Sequence, residues 1–124
     1  MRRALVVLAI LLGAYTATAM AQDAVEVDPE HYQVEFENDQ VRALRITYGP
    51  GEQSVMHEHP AGVVVFLTDG HVRFTFPDGT TREVTAEAGT THWVAADHHQ
   101  PENLGDEPLE VIQIEFKDNP AAVK

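Results

Sequence analysis

The chain of 124 residues contains no cysteine, which excludes disulfide staples, a lipid-modified N-terminal cysteine and a nucleophilic thiol. Basic residues are scarce: 8 Lys and Arg stand against 20 Asp and Glu, a formal net charge of −12. Nucleic acids and anionic lipid surfaces need a cationic patch that this balance does not supply, so neither is expected as a partner. The acidity alone is read as a means of staying soluble. No G-x-S-x-G, no phosphate-binding glycine loop and no dinucleotide fingerprint occurs. After the first residues no segment carries a sustained i, i+3, i+4, i+7 apolar stripe, and there is no internal repeat or low-complexity tract.

The chain opens differently from how it continues. Arg2 and Arg3 precede the compact apolar run Ala4–Ala14, and Ala19 and Ala21 are small residues at the two positions a signal peptidase reads. This order predicts a secretory signal peptide over residues 1–21, cut between Ala21 and Gln22. The run falls short of the roughly 20 residues a spanning helix needs, so no stable membrane anchor is expected after cleavage. The mature chain would be Gln22–Lys124, 103 residues with a formal charge of −14, in the periplasm or secreted. A domain of that size buries roughly two thirds of its unfolded surface, enough for one core.

That mature chain reads as a succession of short strands. Tyr32–Glu37 and Val41–Tyr48 alternate apolar and polar residues around the turn-prone Asn38-Asp39-Gln40. In the second, Arg42, Leu44, Ile46 and Tyr48 share one side. Asp69-Gly70 turns the chain into His71–Phe76, and Pro77-Asp78-Gly79 turns it into Thr80–Thr85. Strands are also expected at Thr90–Ala96 and Leu109–Phe116, and Pro120–Lys124 is expected to be a loose tail. Period-two alternation with turn residues at this spacing predicts an antiparallel all-β sandwich or barrel in a single domain.

Seven histidines are the main chemical resource. His57 and His59 would lie about 200° apart on a helix but share one face of a strand, with Glu58 on the other. Inward polar residues in a half-buried strand are costly without partners, so the pair is a candidate ligand pair. His98 and His99 follow at the end of the Thr90–Ala96 strand, with Asn103 four residues after His99. Only one of two consecutive strand residues can face the interior, so His98 and His99 compete for the role. His92 is expected to be a packing residue, His71 to face solvent, and His31 to lie on the surface. Phe66, Phe74, Phe76, Trp93, Ile112 and Ile114 are candidates for core or pocket. Asn103 is as well suited to cap a turn as to touch a ligand. Glu58, Glu83 and Glu102 are candidate acids or bases that nothing in the spacing distinguishes.

From about Tyr32 to Phe116 the chain resembles the cupin family. One family motif is a glycine followed by His-x-His, a later glutamate and a glycine; here Gly51, His57, His59 and Gly70 match it. The other is a glycine, a Pro-x-Gly turn, and a histidine with an asparagine four residues on; Gly89, His99 and Asn103 match. The resemblance implies a cupin-type double-stranded β-helix, a jelly-roll barrel over about residues 32–116, with a divalent metal held by His57, His59 and His99. The metal could be iron, zinc, copper, nickel or manganese, and imidazole suits several of these. Two departures stand out: counting back from Gly70, the motif's glutamate falls on Val63, and Ala95-Ala96-Asp97 replaces the Pro-x-Gly turn. Some cupin dioxygenases use three histidines without the glutamate, so the resemblance still implies a metal site, with Val63 as an apolar wall. Two functions follow: a metal-dependent enzyme, such as a dioxygenase or isomerase, on a small organic substrate, or a non-catalytic cupin that binds or senses a small molecule with weak or no metal. Small cupins pair, and an exposed edge strand calls for a cover, so a homodimer is expected.

Overall fold

The computed structural model describes residues 22–118, so the expected signal peptide and the tail at 120–124 lie outside the described residues. A single helical turn, α1 (Ala24–Val27), leads into nine strands: β1 (Tyr32–Glu37), β2 (Val41–Tyr48), β3 (His57–His59), β4 (Gly62–Phe66), β5 (Gly70–Thr75), β6 (Thr81–Ala86), β7 (Thr91–Val94), β8 (Asp97–Asn103) and β9 (Leu109–Phe116). All strand pairs are antiparallel. They form a five-stranded sheet in the order β1-β2-β9-β4-β7 and a four-stranded sheet in the order β3-β8-β5-β6. The all-β jelly-roll expectation is met. No helix among the described residues is long and apolar enough to cross a membrane.

Alternation explains which faces meet. In β2, Leu44, Ile46 and Tyr48 are buried, and in β9 Leu109, Val111, Gln113 and Glu115 are buried while their neighbours are less so. β2 and β9 pair along all eight residues, from Val41 with Phe116 to Tyr48 with Leu109, which fixes these two rows on one inner face. Val72, Phe66 and Val64 complete the core from β5 and β4.

β4 runs beside β9 because Gly62 has no side chain. A Cβ there would stand 2.0 Å from the Ile114 carbonyl oxygen and 3.1 Å from Glu115 Cα, so any larger residue must push β9 away. Gly62→Ala is expected to cost about 2 kcal/mol or more, read as a lower urea midpoint in equilibrium unfolding.

Three sequence expectations need correction here. β8 was not expected as a strand, because "DHHQPEN" is polar, contains Pro101 and does not alternate; it is held by pairing with β3 and β5. Ile112 and Ile114 belong neither to the core nor to a pocket wall: their register puts them on the outer face of the five-stranded sheet. Trp93 is in register with them and 66% exposed, and it is also one of the residues that line the cavity. His31 is no surface residue. Its ring stacks on Tyr48 at 4.6 Å and bonds Asp28 at 2.7 Å and Glu52 at 2.6 Å.

Candidate metal centre

β3 places His57 and His59 on the same inward face, and antiparallel pairing sets His57 directly opposite His99 of β8. The three side chains converge, each offering a ring nitrogen within 4.8 Å of the others. His57 is fully buried and His59 nearly so. His98, one residue away on the opposite face, lies 3.4 Å from Glu58 and is not one of the three converging rings.

Each of the three rings is fixed through Nδ1. His57 Nδ1 donates to the Val55 carbonyl at 2.8 Å. His59 Nδ1 donates to Glu115 Oε2 at 2.6 Å, and His99 Nδ1 to Asp97 Oδ2 at 3.0 Å. Protonation at Nδ1 leaves the Nε2 lone pair of each ring available, the usual arrangement of a ligating imidazole. His57 Nε2 is buried without any hydrogen-bond partner, a state that costs about 1–3 kcal/mol unless something binds there. The donor set therefore fits a divalent transition metal.

Electrostatics keeps these rings neutral. Burial, reinforced by His59 and His99, lowers the His57 pKa to about 3. Burial lowers His99 to about 4 despite its bond to Asp97. Both native values lie below the ordinary 6.5, so the unfolded chain binds more protons over that interval and stability falls with pH. His57 and His99 are expected to contribute no pH dependence above 7 and to cost the metal-free protein up to about 2.7 kcal/mol per pH unit between 6.5 and 5. Against its burial, His31 is raised by Glu52 and Asp28, and it adds stability that is lost as pH rises above 6.5. Urea unfolding at stepped pH checks this.

Glu115 had escaped the sequence reading. Its carboxylate is 2% exposed and is shared between His59 and Arg42, whose Nε lies 2.7 Å away. Arg42 also pairs with Asp23, just before α1. A signal was present: Arg42 and Glu115 both fall on rows whose other members are mainly apolar.

Val63 is not the wall beside the site. Gly62, Val64 and Phe66 of β4 face inward, whereas Val63 pairs with Ile114 and Trp93 on the outer face. Val64 lines the cavity in its stead. The count back from Gly70 chose an outward position, and a one-residue step along a strand changes the face.

The remaining candidates fall outside the centre. Asn103 is a turn cap: its amide donates to the Gly49 and Glu107 carbonyls, and Oδ1 accepts from Gly105 N–H. His92 packs edge-on against Phe66, and His71 pairs with Glu83 at the surface. Glu83 and Glu102 both pair with Arg73, and Glu58 with His98, so none of the three reaches the histidines.

His59 and His99 open onto a cavity of about 530 Å³ walled by Val64, Phe66, Val72, Phe74, Leu109 and Val111. The Phe74 ring lies 4.8 Å from that of His99. Tyr32 and Tyr48, whose hydroxyls bond each other, supply a polar patch, and burial raises both pKa values, so both remain protonated.

Fold and site together define a small jelly-roll barrel with a histidine cluster at its inner wall. A family model described as "Cupin domain" matches residues 44–115, and the chain belongs to the cupin family. Among solved structures, a cupin domain from Bordetella pertussis Tohama I is 24% identical, with a TM-score of 0.64, over 69% of this chain and 91% of that one. A cupin superfamily protein from Desulfitobacterium hafniense DCB-2 is 18% identical, with a TM-score of 0.52, over 70% of this chain and 76% of that one. Bacillus subtilis oxalate decarboxylase, whose Mn(II) centres have been characterised, is 27% identical with a TM-score of 0.51. That match covers 65% of this chain but only 22% of the decarboxylase. No curated protein matches the sequence.

Proposed function

We propose that this chain is an exported cupin whose His57, His59 and His99 hold one divalent metal ion beside a small-molecule pocket. The observation that carries this is the matched set of Nδ1 bonds, which turns three Nε2 lone pairs into the same space. The ion would act as a Lewis acid and leave positions open for a ligand. Manganese belongs with iron, zinc, copper and nickel among the candidates, given the Mn(II) centres of the related decarboxylase.

The enzymatic reading is a metal-dependent dioxygenase or isomerase acting on a small organic substrate. A second reading, a non-catalytic binding or sensing cupin, has its own support. Asp97 is the one carboxylate lining the cavity among the described residues, and its engagement with His99 leaves no free acid or base there. The mature protein should be purified from the periplasm, where its first residue is expected to be Gln22. About one metal ion per chain by elemental analysis supports the metal site; absence of metal sinks the enzyme and leaves the binding protein with weak or no metal. Oxygen uptake or turnover in a substrate screen, abolished by a chelator, selects the enzyme, and saturable binding without turnover selects the binding protein.

The proposal includes a homodimer built on the outer face of the five-stranded sheet. Phe36, Ala43, Ile114, Val63 and Trp93 lie in register across all five strands, and Phe116 stacks on Trp93 at 5.9 Å. A continuous apolar row with both ends exposed is the mark of an association surface. Trp93→Glu is expected to convert the dimer to monomer in light scattering; a wild-type monomer contradicts this.

A further inference from the structure

Five basic side chains lie within the described residues, and four are paired with carboxylates: Arg42, Arg45, Arg73 and Lys117. Arg82 makes no ion pair or side-chain hydrogen bond with any described residue, in a chain with 20 acidic residues. Its position is unusual as well. β6 pairs with β5 so that Arg82 stands opposite Phe74, whose ring faces His99. Arg82, Val84 and Ala86 thus form one row of β6, and Ala86 is buried in the core. Arg82 itself is exposed, yet it lines the cavity, the only basic residue to do so among the described residues.

We propose that Arg82 is a specificity-determining residue, and that the ligand of this pocket is a small organic acid with an apolar body and one carboxylate. This rests on the reading of the cavity as a small-molecule site, but not on the metal. The apolar walls take the body of the ligand, and the guanidinium donates two parallel hydrogen bonds to its carboxylate. The net charge of −12 repels anions at long range, so an anionic ligand needs such a local cation. One guanidinium balances one monovalent carboxylate; a dianionic phosphate would ask for more positive charge than the site holds. Asp97, the acidic group in the same lining, is already bonded to His99.

Calorimetric titration with phenylacetate, hexanoate and benzoate tests this, with phenylacetamide as the neutral control, on both metal-loaded and chelator-treated mature protein. At least one of the acids is expected to bind, with phenylacetate binding more tightly than phenylacetamide. Arg82→Gln is expected to weaken the acids about tenfold and leave the amide unchanged, while Arg82→Lys keeps part of the difference. The preference should survive in chelator-treated protein, which separates this proposal from metal binding. It is overturned if none of the acids binds, if acid and amide bind alike, if Arg82→Gln has no effect, or if removing metal alone abolishes the preference.

Discussion

His57→Ala is expected to weaken metal binding at least about 100-fold, above the usual 10–100-fold loss from removing a residue that only orients a ligand. His57 has the strongest claim of the three rings. It is completely buried, its Nδ1 is committed to the Val55 carbonyl, and its Nε2 has no partner. The variant leaves two of three nitrogens and removes an imidazole that needs no deprotonation at neutral pH, since burial already holds it neutral. Competition between the protein and a chromophoric chelator for zinc gives the affinity. Circular dichroism shows whether the variant keeps its sheet content, so that a binding loss is not mistaken for unfolding. Unchanged affinity would remove His57 from the site.

Glu115→Gln should affect both stability and metal. The Glu115 carboxylate lies between Arg42 and His59 at 2% exposure, so neutralising it leaves a partly buried guanidinium supported by Asp23 alone. Breaking a buried pair by removing one partner costs about 3–5 kcal/mol, and the remaining Asp23 contact places the expected loss near 3. Metal affinity should fall about 10–100-fold, because His59 loses the acceptor that fixes its tautomer and ring angle. The double variant Arg42→Met, Glu115→Leu separates the effects. Apolar replacement of the whole pair should recover part of the stability, and metal affinity should stay low. Recovery of both would make Glu115 a purely structural residue.

Much of this architecture was legible because alternation is a local property. β1, β2 and β9 begin and end where the pattern of apolar and polar residues places them, and a His-x-His pair could serve one ion only from a strand. β8 was not legible, since its pairing with β3 and β5 comes from tertiary contacts and not from its own polar sequence. The face of Val63 depended on a count from a distant glycine, where a single residue of error reverses the answer. Glu115 and Arg42 could have been found as charged residues on inward rows, as could Arg82; what they contact follows only from register across the sheet. His31 was misjudged because its partners, Asp28, Tyr48 and Glu52, meet only after the chain folds back.

X-ray absorption spectroscopy of the metal-loaded mature protein tests the central claim most directly. The account predicts three imidazole nitrogens at about 2.0–2.2 Å from the ion, completed by light-atom ligands from solvent, with one imidazole fewer in His99→Ala. A first shell made of carboxylate oxygens without imidazole, or one unaltered in His99→Ala, would contradict it.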